Sequence, residues 1–180
     1  PRSLTMSAYA DLDTSVIDEL PPGRQAVETI ALSNARREEL ITKIRKISDE
    51  GRQIYWVCTL IEESEALRAE SAEKTFTYLK DHLEELTVVM IHGKLSKVEK
   101  ESIMKDFENG LINLLVATTV IEVGVNVPNA SLMIVENAER LGLAQLHQLR
   151  GRVGRGSEKS ICILMYQSPL GDNARERLAI

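Results

Sequence analysis

The stretch QIYWVCTLI, residues 53–61, is a continuous apolar run of the kind found in a β-strand that is buried on both faces. Before it, Leu40, Ile44 and Ile47 recur at helical spacing, and this helical pattern stops at Gly51, a residue suited to the end of a helix. After it comes a long acidic segment with a second helical stripe, formed by Phe76, Leu79, Leu83 and Leu86. A buried strand between two amphipathic helices predicts an α/β fold.

The same alternation continues along the chain in both directions. Ser96 and Glu99 have the spacing of a capping box, and the helix that they open is predicted to close at Gly110. Further strand-like segments are VETIAL (27–32), VVMIHG (88–93), INLLVATT (112–119), SLMIVEN (131–137) and SICILMY (160–166). Strands that alternate with helices at this spacing predict a mostly parallel sheet with helices on both faces.

Composition places the chain among ordinary globular proteins. It has 180 residues, of which 43% are hydrophobic and 27% charged. A net charge of −5 argues against binding to nucleic acid through bulk charge alone, although basic residues gather between Arg140 and Lys159. With no bilayer-spanning run and no signal-like start, we expect no membrane partner and a cytoplasmic location. Cys58 and Cys162 lack metal-ligand spacing and are predicted to be buried thiols.

The segment QLRGRVGRG, residues 148–156, is the strongest candidate for chemistry. If it is helical, Gln148, Arg152 and Arg155 share one face, because they stand at i, i+4 and i+7. The opposite face would place Leu146, Leu149 and Val153 in the core. Arginine side chains suit the recognition of phosphate, so this face is predicted to meet a phosphorylated ligand. A solvated basic helix end is the simpler alternative.

Three predicted strand ends carry possible anion-binding groups, since ligands of parallel sheets bind beyond the carboxyl ends of the strands. These are CTLIEESE (58–65), IHGKLS (91–96) and ATTVIEVGVN (117–126). Each has an ordinary alternative as a turn or a helix start. Gly93-Lys94 is not a phosphate loop, because the required earlier glycine is replaced by Val88. No metal site is predicted. The inventory amounts to half of a phosphoryl-transfer site: groups that stabilise charge, without those that bind nucleotide and metal.

These motifs resemble those of superfamily 2 helicases. QLRGRVGRG is similar to their motif VI, and ATTVIEVGVNVPNA (117–130) is similar to motif V. Together with VCTLIEESE (57–65), IHGKLS and NAERLGLAQLHQLRGRVGRG (137–156), they resemble the RecG-type branched-DNA helicases in particular. The resemblance covers essentially the whole chain and implies a RecA-like α/β domain, the second motor domain of such an enzyme.

The resemblance also implies roles for individual residues at the nucleotide. Arg152 and Arg155 would reach the γ-phosphate of ATP across a cleft between two domains, and Gln148 would line that cleft. Gly124 and Asn126 would lie beside the nucleotide. The family usually has Asp at the position of Asn126; Asn keeps the size of that side chain and one acceptor oxygen but lacks its charge.

For DNA, the resemblance implies contacts from five residues: Thr59, Thr118, Thr119, His92 and Gly93. The implied cofactors are ATP and Mg²⁺, held mainly by the first RecA-like domain, and the implied partners are that domain and branched or duplex DNA. Residues 1–24 are interpreted as a remnant of the preceding motor domain plus a linker, 25–167 as the helicase domain, and 168–180 as the start of a further segment. The first motor domain is expected upstream of Pro1.

Two other functions stay open at this point. A translocase that couples transcription to repair has similar motifs V and VI. Alternatively, the chain by itself is a nucleic-acid-binding module without catalysis, and we expect negligible ATP hydrolysis and weak DNA binding from residues 1–180 alone.

Overall fold

The structure is a computed structural model that describes residues 26–59, 65–118, 127, 129–154 and 159–178. The predicted remnant at 1–24 lies outside these ranges, as do residues 60–64. The strands are β1 (Glu28–Ser33), β2 (Gln53–Val57), β3 (Val88–Ile91), β4 (Leu114–Ala117), β5 (Ala130–Val135) and β6 (Ile161–Tyr166). The helices are α1 (Arg37–Asp49), α2 (Glu65–His82), α3 (Lys97–Glu108), α4 (Leu143–Arg150) and α5 (Asp172–Leu178), with 3₁₀ turns at Asn34–Arg36 and Ala138–Arg140.

Within the described residues the strands form one six-stranded sheet in the order β1-β6-β5-β2-β4-β3, and every pair is parallel. The predicted parallel α/β sheet is therefore confirmed. All five residues of β2 are buried, as its apolar run predicted. Strand β2 ends at Val57, so the strand is shorter than the run that suggested it.

Helices cover both faces of the sheet. Tyr55 and Val57 of β2 face the core under α3, α4 and α5, whereas Ile54 and Trp56 face the core under α1 and α2. This alternation follows from the two-residue period of a strand. The predicted stripe on α1 is buried, with Ile44 fully enclosed.

The predicted helix ends are also confirmed. Gly51 and Gly110 have φ of 76° and 77°, a left-handed conformation that costs glycine little. At the start of α3, the Ser96 hydroxyl accepts a bond from the Glu99 amide, and the Glu99 carboxylate accepts one from the Ser96 amide. This reciprocal pair is the predicted capping box.

The segment after β6 packs onto the same body. Leu178 of α5 is buried in the core that α3 and α4 share. Arg177 donates hydrogen bonds to the carbonyls of Glu139 (2.8 Å) and Leu141 (3.5 Å), which lie between β5 and α4. The boundary predicted at residue 167 stays a prediction. In the described ranges, no helix is long and apolar enough to span a membrane.

Candidate functional site

The carboxyl ends of four adjacent strands are joined by a series of backbone hydrogen bonds. In each bond the amide of the first residue beyond one strand donates to the carbonyl of the last residue of the neighbouring strand. The bonds run from Thr118 N to Ile91 O (3.2 Å), from Cys58 N to Ala117 O (2.9 Å) and from Glu136 N to Val57 O (2.9 Å). The ends of β3, β4, β2 and β5 therefore form one continuous edge, which we call the carboxyl edge.

Several of the predicted DNA contacts lie on this edge. Thr118 follows β4 and is only 5% exposed. Thr59 follows β2 and is half-buried, and its hydroxyl donates a 2.6 Å hydrogen bond to the carbonyl of Glu136. A threonine hydroxyl has a single proton to donate. While this bond is present, the Thr59 hydroxyl cannot donate to a phosphate oxygen.

His92 and Gly93 form a turn directly after β3, at the end of the carboxyl edge. The Leu95 amide donates to the His92 carbonyl at 3.2 Å, and Lys100 Nζ donates to the Gly93 carbonyl at 3.1 Å. Gly93 and the neighbouring Lys94 are exposed. The turn therefore offers backbone and cationic groups to solvent, as a contact with a phosphate backbone requires.

A buried carboxylate that the sequence analysis did not single out also lies on this edge. Glu136 is 6% exposed, and its carboxylate accepts hydrogen bonds from Arg37 Nη2 and from the Thr75 hydroxyl (3.2 Å). Burial and the negative charge of Glu136 raise the pKa of the neighbouring Cys58 thiol well above its usual value. A charged residue directly after the apolar run LMIV (132–135) is the signal in the sequence that could have identified it.

Helix α4 contains Gln148 and leads to Arg152, and it runs away from the carboxyl edge. It follows β5 and precedes the parallel strand β6, so it runs back towards the amino ends of the strands. Near its last turn, Arg150 lines a cavity of about 10 Å³ together with Thr29 and Cys162, which lie early in β1 and β6. Gln148 is exposed, so its side chain is accessible from solvent.

The helix predicted to continue through Arg155 ends at Arg150, so that part of the prediction is wrong. Gly151 caps the helix, and the Arg152 amide donates to the Leu149 carbonyl at 2.9 Å in a tighter turn. Gly154 then adopts φ of 78°, which an α-helix does not allow. The predicted core side is nevertheless confirmed, because Leu146, Leu149 and Val153 are 3%, 0% and 0% exposed.

The candidate residues thus form two groups rather than one pocket. Thr59, Thr118 and His92 lie along the carboxyl edge, whereas Arg152 follows the far end of α4. Thr119, Gly124, Asn126 and Arg155 fall outside the described residues, so their predicted roles stay predictions.

The chemistry of the described groups fits part of an ATP site. Among the residues whose placement is given, no three His, Cys, Asp or Glu side chains cluster as a metal site would require. The cavity beside Arg150 has room for about one water molecule and none for a nucleotide. The guanidinium of Arg152 is of a type suited to the recognition of a phosphate group.

Comparison with known proteins agrees with this architecture. Residues 32–157 match the helicase conserved C-terminal domain. The ATP-dependent DNA helicase RecG of Escherichia coli O157:H7 is 61% identical over 181 aligned positions, which cover 100% of this chain and 26% of that protein. A solved structure of RecG bound to a three-way DNA junction is 43% identical, with a TM-score of 0.80, and the match covers 99% of this chain and 23% of that one.

A more distant likeness supports the fold alone. The C-terminal domain of the DEAD-box protein Dbp5 has a TM-score of 0.60 at 19% identity, and the match covers 85% of this chain and 82% of that one. The chain therefore belongs to the helicase conserved C-terminal domain family, with a RecA-like fold. It spans about a quarter of the length of the curated RecG relatives that it matches.

Proposed function

We propose that this chain is the second motor domain of an ATP-dependent DNA helicase that remodels branched DNA such as stalled forks and junctions. The observation that carries the proposal is the separation of the two groups of residues. The carboxyl edge is suited to a phosphate backbone, and Arg152 follows the far end of α4. One sheet can therefore contact DNA and nucleotide at different places. Such a domain can couple a change at one ligand to movement along the other.

In this proposal the domain supplies only part of the ATP site. ATP and Mg²⁺ would be held mainly by the first RecA-like domain of the same protein. Hydrolysis of the bound ATP would supply the free energy for movement along DNA. Arg152 donates N–H groups to the terminal phosphate and stabilises the charge that develops there. Gln148 lines the same interface and responds to its closure. Arg155 is proposed as a second such arginine, and Gly124 and Asn126 as neighbours of the nucleotide.

The DNA-facing part of the proposal assigns the carboxyl edge to the phosphate backbone. Thr118 and the turn at His92 and Gly93 hold backbone groups at fixed spacing, and Thr59 stands between them and Glu136. Thr119 is proposed to extend the same surface. Contacts of this kind position a protein on DNA without reading its sequence, which suits an enzyme that recognises branched structure.

The choice of a RecG-like role over a transcription-coupled translocase rests on the relatives. The RecG helicase of Escherichia coli O157:H7 is 61% identical along the whole chain. A 43% identical RecG was solved in complex with a three-way DNA junction. An enzyme acting on chromosomal DNA in a bacterium would be cytoplasmic, in agreement with the location expected from the sequence.

Replacing Arg152 in the full-length protein tests the proposal. Arg152→Ala should lower the turnover number for ATP by about 10³- to 10⁵-fold, because arginine fingers contribute that much in nucleotide hydrolases. ATP binding, measured with a fluorescent analogue, should change little. Arg45→Ala serves as the control, since Arg45 pairs with Glu85 on an exposed face. Near-normal turnover in Arg152→Ala would refute the role of this arginine.

A further inference from the structure

The ion pair between Arg37 and Glu136 differs from the other ion pairs of the described residues in its burial. The Glu136 side chain is 8% exposed and that of Arg37 25% exposed. By contrast, the neighbouring pair Arg36–Glu39 has side chains that are 58% and 60% exposed. Burial of a charge pair costs desolvation energy, and an apolar pair of the same volume is often as stable. Stability alone is therefore a weak reason for placing a carboxylate here.

Residues of three structural elements hold the Glu136 side chain in one position. Arg37 is the first residue of α1, and its guanidinium carbon lies 5.4 Å from the ring centroids of both Trp56 in β2 and Tyr78 in α2. The Thr75 hydroxyl of α2 donates to the second carboxylate oxygen at 3.2 Å. A planar guanidinium in contact with two rings loses freedom, and the carboxylate receives contacts from α1 and α2 at once.

The backbone of Glu136 links the two groups of candidate site residues. Its amide donates to Val57, and its carbonyl accepts the 2.6 Å bond from Thr59 on the carboxyl edge. The next residue, Asn137, has a left-handed conformation with φ of 47°, and the chain then makes the 3₁₀ turn Ala138–Arg140 before α4 begins. Asparagine adopts this conformation more readily than most residues, so Asn137 suits the tight turn that leads into α4.

From these contacts we propose that Glu136 is a positioning residue that couples the DNA-facing carboxyl edge to the helix carrying Gln148 and preceding Arg152. The carboxylate fixes residue 136, whose carbonyl holds Thr59 on one side and whose following turn sets the start of α4 on the other. A displacement of Thr59 by DNA is passed to α4 through this one residue. The proposal rests on the proposed motor function and adds a residue that touches neither DNA nor ATP.

The test measures how strongly DNA stimulates ATP hydrolysis by the full-length protein, with a synthetic three-way junction as the probe. Glu136→Gln keeps the shape of the side chain and removes its charge. We expect the ratio of DNA-stimulated to DNA-independent turnover to fall by about tenfold, a typical size for coupling between two sites. Glu39→Gln is the matched control: it removes the same charge from the exposed pair nearby and should change the ratio by less than about twofold.

A purely structural role is distinguished by two further readouts. Loss of folded protein lowers both rates equally, so the ratio would stay constant. If Glu136 acts through Thr59, then Thr59→Val and Glu136→Gln together should lower the ratio no further than the larger single effect, because residues in one chain of contacts are not additive.

Thr75→Val provides a milder variant should Glu136→Gln fail to fold. It removes one bond to the carboxylate and should lower the ratio in the same direction, by a smaller factor. Suppose that DNA stimulates turnover of the unmodified protein, but that the ratio is unchanged in the folded Glu136 or Thr75 variant. This result overturns the inference about Glu136 and does not affect the proposed motor function. Absence of DNA-stimulated turnover in the unmodified protein overturns both.

Discussion

Ser96 and Glu99 satisfy backbone amides at the start of α3 that the helix itself leaves without partners. The bonds measure 3.3 Å from the Glu99 amide to the Ser96 hydroxyl and 2.8 Å from the Ser96 amide to the Glu99 carboxylate. Such a cap sets the first residue of the helix and therefore the path of the turn at His92 and Gly93 before it.

Ser96→Ala should lower the free energy of unfolding by about 1 kcal/mol, the usual contribution of a serine cap. The measurement is chemical denaturation of the full-length protein, monitored by a fluorescent probe placed in this domain. Ser102→Ala is the matched control, because Ser102 is exposed within the same helix, where alanine is the better helix former. Equal effects of the two substitutions would show that the capping bonds contribute nothing.

Burial changes the acidity and reactivity of the two cysteine thiols. Cys162 in β6 has no exposed surface, and burial raises the pKa of its thiol to about 12. Because the thiolate is the reactive form, both it and Cys58 are expected to be inert at neutral pH. The sequence prediction of buried thiols is confirmed.

Helix α4 shows what sequence patterns predict well and what they do not. The burial of Leu146, Leu149 and Val153 follows from their spacing and is confirmed. The predicted extension through Arg155 is wrong because Gly151 and Gly154 favour a turn, and a turn can keep Val153 buried after the helix has ended. Periodicity identifies the side that faces the core, but the last residue of a helix depends on local glycine geometry.

The buried ion pair marks a second limit of sequence reasoning. Arg37 and Glu136 are separated by 99 positions. They meet because the helix that starts at Arg37 joins β1 to β2, and β5 lies between those two strands in the sheet. A single sequence predicts the strands but not their order, so it cannot show which strand ends become neighbours. The parallel α/β class was therefore predictable, whereas the contacts between the ends of β2 and β5 were not.

At the scale of the helix, Leu149 should be the main anchor of α4. Leu149→Ala should reduce the free energy of unfolding by about 2–5 kcal/mol, since the side chain is fully buried and its removal leaves a cavity. Leu143→Ala, on the same helix but 46% exposed, should have a much smaller effect. Denaturant titration of both variants tests this, and similar losses would contradict the assigned orientation of α4.

For the whole molecule, the parallel sheet explains why the two candidate surfaces lie apart. The six described strands all point the same way, so their carboxyl ends gather at one edge, and a helix between parallel strands must return to the other. Thr59 and Thr118 therefore lie at one end of the sheet, and Arg152 follows the end of α4 near the other. In the proposed function, the domain contacts DNA at one end of the sheet and nucleotide near the other.

The most direct test of this account is strand separation by the full-length protein on branched and linear DNA. A synthetic three-way junction and a linear duplex built from matched strands are compared at the same ionic strength, with and without ATP and Mg²⁺. We predict ATP-dependent separation of the junction, little separation of the linear duplex, and loss of the junction activity in Arg152→Ala. Equal separation of both substrates, or separation of the junction without ATP, would contradict the proposed branched-DNA motor.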